Sequence, residues 1–214
     1  MFRGQLGHET PLSRPTGNKV GGMSNEISRS GRKTYLLVDG ENIDATLGLN
    51  VLGHRPNPDE RPRWDRIAEF TAEVFNQPVT SLFFLNASSG QMPMPFVQAL
   101  LAMNYRPIPL SGTAQEKVVD MGIQAMLEAI GEGDGDVLLA SHDGDFIPQI
   151  EALLDRGHRV GLLCFREFVN AQMAALEEKG LRFYDLEDNV GAFNTILPRV
   201  RIIPIHEFNP LRYI

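Results

Sequence analysis

Four apolar runs of strand length, Tyr35–Val38, Ser81–Leu85, Val137–Ala140 and Val160–Phe165, lack the alternation of apolar and polar residues that a half-solvated strand shows. Strands buried on both faces belong to parallel sheets, whose crossovers lay helices over each side. Two more runs, Arg106–Leu110 and Arg182–Leu186, read as shorter or edge strands. Pro107 and Pro109 remove backbone donors from the first of these and weaken its claim to be a strand. Helical periods lie between the runs. Trp64, Ile67, Ala68, Val74 and Phe75 mark one helix, and Val119, Ile123, Met126 and Ile130 the apolar stripe of a second. Ile147, Ile150, Leu153 and Leu154 mark a third, stopped at Gly157, and Phe168 to Lys179 a fourth, ending at Gly180. The alternation predicts an α/β fold, a three-layer α/β/α sandwich on a mainly parallel sheet. Segments 48–63 and 86–95 are expected to be loops, long enough to form functional rims.

At 214 residues and 43% hydrophobic, the chain suits one domain with tails. Residues 1–33, rich in Gly, Ser, Pro and Arg, carry no hydrophobic period and are expected to be disordered. Met23, ahead of a short polar leader, is an expected alternative translation start. The domain is expected over 34–188, followed by an extension at 189–214. Within the extension, Arg201 to Ile205 reads as an edge strand or an interface segment, which leaves room for a homo-oligomer. The lone Cys164 lies inside an apolar run and excludes an intramolecular disulfide. No apolar stretch reaches the roughly 20 residues of a membrane span, so no membrane partner and a cytoplasmic location are expected. The tail carries six Lys/Arg against two Asp/Glu, whereas residues 34–214 carry fourteen against twenty-five. Such an acidic body argues against a large nucleic-acid footprint made by the body alone.

The acids are not scattered. Asp39 follows the first apolar run in YLLVDGEN, and Asp143 and Asp145 follow a later one in VLLASHDGDF. Ligands of open α/β sheets bind outside the carboxyl ends of strands, where these residues fall. In an extended segment, positions 143 and 145 point to one side. The blander reading makes Asp39 a helix cap and Asp145 the cap of a helix at Phe146. Asp120 lies beside the apolar stripe of the second helix, with Glu116 and Lys117 about one turn earlier. Its blander reading is a solvated face with a Lys117–Asp120 pair. Acids on three elements, two of them at strand ends, suit a pair of hard cations such as Mg²⁺ or Mn²⁺, the first of which would acidify a water for attack on a phosphodiester. Other chemistries lack their residues. There is no GxxxxGK[ST] or GxGxxG phosphate loop, no GxSxG elbow and no CxxC or HExxH metal pattern. A phosphatase of the haloacid dehalogenase type needs DxD where this chain has Asp39-Gly40-Glu41.

The segments VDGENID, EKVVDMGIQAML, DVLLASHDGDFIPQIEALLDRGHRVGLL and FYDLED, in this order, resemble the NYN-domain family, the LabA-like branch of the PIN-like ribonucleases. The likeness runs from about Tyr35 to Asp188. It implies a PIN-like, Rossmann-like topology and Mg²⁺- or Mn²⁺-dependent cleavage of RNA. By motif position it makes Asp39, Asp120, Asp143 and Asp145 the acidic centre. It further implies that Asn42 orients Asp39 or substrate and that Lys117 approaches a phosphate, and Ser141 is expected with these two as a substrate contact. Many relatives carry a further aspartate where this chain has Met126, and Glu116 is the candidate substitute.

The leading expectation is a metal-dependent (endo)ribonuclease, with RNA as partner. Its rivals are a non-catalytic RNA- or protein-binding module with an impaired centre, and a small-molecule phosphohydrolase. Arg61, Arg63 and Arg66 around Trp64 are candidate single-strand contacts, although Trp64 also fits the apolar helix period.

Overall fold

The structure, a computed structural model, describes residues 31–200, 205, 208–212 and 214. The chain divides after Gly31, and the unit from Arg32 onward carries the sheet. Expectations for residues 1–30, the alternative start included, and for 201–204 of the C-terminal run lie outside the described residues.

Among the described residues six strands form one sheet: β1 (Thr34–Asp39), β2 (Val79–Asn86), β3 (Tyr105–Leu110), β4 (Asp136–Ala140), β5 (Val160–Cys164) and β6 (Arg182–Asp185). Their order is β3-β2-β1-β4-β5-β6, and every pairing is parallel. Among the described residues six α-helices accompany them: α1 (Gly40–Thr46), α2 (Trp64–Phe75), α3 (Met94–Ala102), α4 (Val118–Gly131), α5 (Ile147–Asp155) and α6 (Ala171–Ala175).

The unalternating runs have the expected cause. On β1, Leu36 and Val38 join one buried cluster, with Trp64, Ile67 and Phe83. Leu37 points the other way, into a second cluster with Phe84, Ile123 and Leu127. Full burial of each such side chain contributes about 1.5–3 kcal/mol, so a polar residue at any of the three would be costly. β3 lies at an edge, where Pro107 and Pro109 cost the sheet no second ladder.

Four local expectations need correction. A helix, α3, stands between β2 and β3, where residues 86–95 led straight to a strand; two adjacent parallel strands require such a crossover. Its MPFVQALLA sequence is apolar nearly all round, so no amphipathic period announces it. Residues 40–52 form α1 and a π-helical turn, Leu47–Leu52, closed by Gly53 at φ +73°, so the loop read at 48–63 begins later. The helix expected over Phe168–Lys179 is interrupted. Asn170 accepts a hydrogen bond from Met173 N at 2.8 Å and starts α6 afresh, between 3-10 turns at Arg166–Phe168 and Leu176–Lys179. On α4 the buried stripe runs through Leu127, and Met126 is only half-buried beside it.

Trp64 is core, edge-on to Phe83 at 5.0 Å. Past β6 the chain returns over the first cluster, burying Ala192, Phe193 and Leu197. Arg63 N donates to Ala192 O, and the Arg66 guanidinium to Gly191 O and Phe193 O. Arg199, 3% exposed, pairs with Glu167 and Asp185 and lies over the Phe165 ring. No helix among the described residues is long and apolar enough to cross a membrane.

Chain direction across the sheet reverses between β1 and β4. Successive strands step outward from β1 to β3, and then the chain returns to β4 on the other side of β1. A crevice opens outside the carboxyl ends of two such strands. That crevice holds the acids.

Candidate active site

Val38 and Ala140 are register partners, so the residues that follow them, Asp39 and Ser141, emerge side by side. Asp39 ends β1 and caps α1 at once: its Oδ1 accepts from Asn42 N at 3.2 Å. Its Oδ2 accepts from the Ser141 hydroxyl at 3.0 Å. At 2% exposure, burial pushes the Asp39 carboxyl up to about 6, against the pull of these two hydrogen bonds; the charges of Asp120 and Asp143 push the same way as burial.

Ser141 also accepts from Asp143 N at 3.1 Å, which fixes the start of the next turn. Asp143, not Asp145, is the cap there, its Oδ1 accepting from Asp145 N at 2.9 Å. The two carboxylates come together around a 3-10 turn, Gly144–Phe146, rather than along an extended strand. Asp120, in the first turn of α4, completes a trio. Asp120, Asp143 and Asp145 each offer one oxygen, and the three lie within 4.8 Å of one another. Asp39 stands outside that trio, with both oxygens engaged, though it lines the same cleft.

Lys117 balances part of this charge. Its Nζ lies 2.9 Å from Asp145 Oδ2 and 3.3 Å from Asp120 Oδ2, and these bonds hold the ammonium above the usual lysine range. The Lys117–Asp120 pair of the blander reading therefore exists, extended to a third residue across 28 positions of sequence.

His142, between Ser141 and Asp143, is a positioning residue. Its Nε2 accepts from Phe165 N at 2.7 Å, so the ring proton sits on Nδ1, which lies 3.2 Å from Asn42 Oδ1. The His142 backbone N–H donates to the same Oδ1 at 2.7 Å. Burial lowers the imidazole to about 4, keeping it neutral at physiological pH. Asn42 thus has its carbonyl committed inward and keeps its amide NH₂ for the cleft.

The cleft holds about 330 Å³, and Asp39, Asn42, Lys117, Asp120 and Asp143 line it, together with Glu41 and Asn86. Asp145 is exposed at its margin, and Ser141 is buried behind the carboxylates, where its hydroxyl holds Asp39 and Asp143. Glu41 and Asn86 were missed. Asn86 ends β2, and the rule that placed Asp39 at a strand exit would have found it as well. Glu116 lines the cleft too and accepts from Thr113 N at 2.6 Å, though it stands outside the trio, whereas Met126 packs against the second core cluster. The arginines around Trp64 are engaged in the fold: Arg61 pairs with Asp44, Arg63 with Asp65, and Arg66 with the returning C-terminal segment.

An all-oxygen donor set, anionic and only partly buried, matches a hard divalent cation. A soft metal would want sulfur or imidazole, and here Cys164 is buried in the core and the His142 ring nitrogens are both occupied. The model of the NYN domain family matches residues 33–187 of the chain. No curated protein matches it.

Proposed function

Because the chain belongs to the NYN domain family, whose members are typically ribonucleases, we infer that its acidic cleft is the centre of a divalent-metal-dependent ribonuclease acting in the cytoplasm. The motif set resembles the LabA-like branch of that family. The observation that carries the reading is the trio of carboxylate oxygens within 4.8 Å, set where chain direction reverses between β1 and β4. Asp120, Asp143 and Asp145 would hold Mg²⁺ or Mn²⁺, with Asp39 the fourth carboxylate of the centre. When bound, such a cation acidifies a water for attack and offsets the charge of the phosphodiester.

The remaining roles belong to the chain itself. Ser141 fixes Asp39 relative to Asp143, so two elements 102 residues apart keep a set spacing. His142 aims Asn42, whose amide NH₂ is a donor for a phosphate oxygen or ribose hydroxyl. Lys117, 65% exposed, has the freedom to leave its carboxylates and meet a phosphate.

The test is cleavage of labelled single-stranded RNA in Mg²⁺ or Mn²⁺, with loss of cleavage in EDTA. RNA cut equally well in EDTA contradicts the reading. The seat of Lys117 between Asp120 and Asp145 favours one rival, a binding module whose centre the lysine already neutralises. RNA binding that persists in EDTA with no cleavage in any metal would identify that rival.

A further inference from the structure

Beside the acidic cleft lies a larger recess of about 540 Å³, within the roughly 300–1,000 Å³ span of small-molecule sites. The two are joined through α1. Asp39 lines the cleft, Gly40 the recess, and Glu41 both. Glu41 borders both, so a strand of several nucleotides laid along the start of α1 can reach from one to the other. The recess floor is aromatic. Phe83 and Trp64 are buried there, and half-buried Phe96 stands edge-on to Phe83 at 5.2 Å. On its α1 wall Asp44 Oδ2 takes the Arg61 Nε–H at 2.7 Å, with Arg61 lining the recess beside it, and Oδ1 remains a second acceptor on the same carboxylate. At the mouth stands exposed Arg55.

We propose that this recess receives the unpaired base of a nucleotide adjoining the scissile phosphate of single-stranded RNA, packed on Phe96 and read through its exocyclic amine by Asp44. The proposal rests on the ribonuclease reading for the position of that phosphate. Every base has an apolar face to set against Phe96, and stacking of this kind tolerates sequence. Discrimination comes from Asp44, because a carboxylate accepts and cannot donate. Adenine, guanine and cytosine offer it the two N–H bonds of an exocyclic amine, whereas uracil offers only its ring N3–H, flanked by two carbonyls that a carboxylate repels. Arg55 is placed for the phosphate on the far side of the bound nucleotide. Only an unpaired base can enter such a recess, which makes single-stranded RNA the matching substrate.

Trp64 is the one tryptophan of the chain, so its emission reports on the recess directly. The experiment titrates the full-length protein with hexanucleotides of adenosine, cytidine or uridine, and with an abasic hexamer, with Ca²⁺ in place of Mg²⁺. Adenosine and cytidine hexamers are expected to quench Trp64 saturably and to bind about tenfold tighter than the abasic strand. Phe96→Ala removes that advantage, and Asp44→Asn levels the difference between amino-bearing bases and uracil. Equal affinity of the wild type for base-bearing and abasic strands overturns the proposal, as does quenching that Phe96→Ala leaves unchanged. Should Phe96→Ala not fold, the abasic comparison on wild type decides alone. Cleavage of the same strands in Mn²⁺ separates the two claims. Base-dependent binding without cleavage upholds the recess and removes the ribonuclease, whereas cleavage with base-blind binding does the reverse.

Discussion

Lys117 places its Nζ 2.9 Å from Oδ2 of Asp145, so a side chain from the residue before α4 closes on a turn that follows β4. The lysine is thereby both a neutraliser of the acidic trio and a competitor for any cation that binds there. An exposed pair of this kind contributes little to folding, so its importance is to the site.

Replacing Lys117 by Met should separate those two effects. Affinity for Mn²⁺, measured by calorimetry, is expected to rise by up to about fivefold as the competing ammonium disappears. RNA cleavage at saturating metal is expected to fall by about tenfold or more, because the donor for the phosphate is gone. Cleavage unchanged at saturating Mn²⁺ would leave Lys117 no role beyond ion pairing.

Asp39 gives a pH dependence of defined sign. Its carboxyl titrates at about 6 in the folded protein against its ordinary 3.8. Between those values the folded state binds more protons than the unfolded one, so stability falls as pH rises from about 4 to about 6. The loss is on the order of 2–3 kcal/mol and is complete above about pH 7. In EDTA, Asp39→Asn should therefore be more stable than wild type at pH 7.5, by up to that amount, and nearly equal to it at pH 4. Denaturant unfolding at the two pH values checks this. Adding Mn²⁺ should stabilise wild type and narrow or reverse the gap, since binding to the native state alone adds stability.

Ser141→Ala removes the donor to Asp39 Oδ2 and the acceptor of Asp143 N in one step, at a fully buried position. Leaving these groups without partners is expected to cost about 1–3 kcal/mol. Cleavage should drop about tenfold in kcat, with RNA affinity little changed, because the carboxylates lose their spacing and not their charge. Equal loss in kcat and affinity would point to general unfolding of the cleft.

Gly40→Ala tests how tightly α1 is seated. A Cβ there would lie 2.5 Å from Cζ of Phe83, which is buried against Trp64 and cannot yield freely. Overpacking of this kind costs about 1–3 kcal/mol. The helix start that carries Glu41 and Asn42 should shift with it, and guanidinium unfolding together with the RNA cleavage rate reads both consequences.

Much of the fold was legible because burial on both faces writes itself as unbroken apolar runs; Leu36, Leu37 and Val38 face opposite clusters and are all apolar for that reason. What escaped had no such signature. α3 has hardly any polar face to set a period, and α1 begins at the residue after β1, with Asp39 serving both as strand end and as cap. The acids could be placed near one another from their positions at strand ends and beside a helix stripe. Their inner arrangement could not. It depends on contacts between distant segments, such as Ser141 with Asp39 and Phe165 N with His142, and no local spacing encodes them. The split between the trio and Asp39 is of the same origin, since the Ser141 hydroxyl occupies the oxygen that Asp39 would otherwise turn outward.

The central claim is that these carboxylates hold a cation for phosphodiester cleavage, and Asp143→Asn addresses it most directly. The variant keeps an oxygen to cap the turn at Asp145 N and loses the charge, so it should fold like wild type by circular dichroism. On labelled single-stranded RNA in Mn²⁺, wild type is expected to cleave and the variant to be slower by about a hundredfold or more, with neither active in EDTA. Cleavage by folded Asp143→Asn at the wild-type rate, or wild-type cleavage that EDTA leaves intact, would contradict the account.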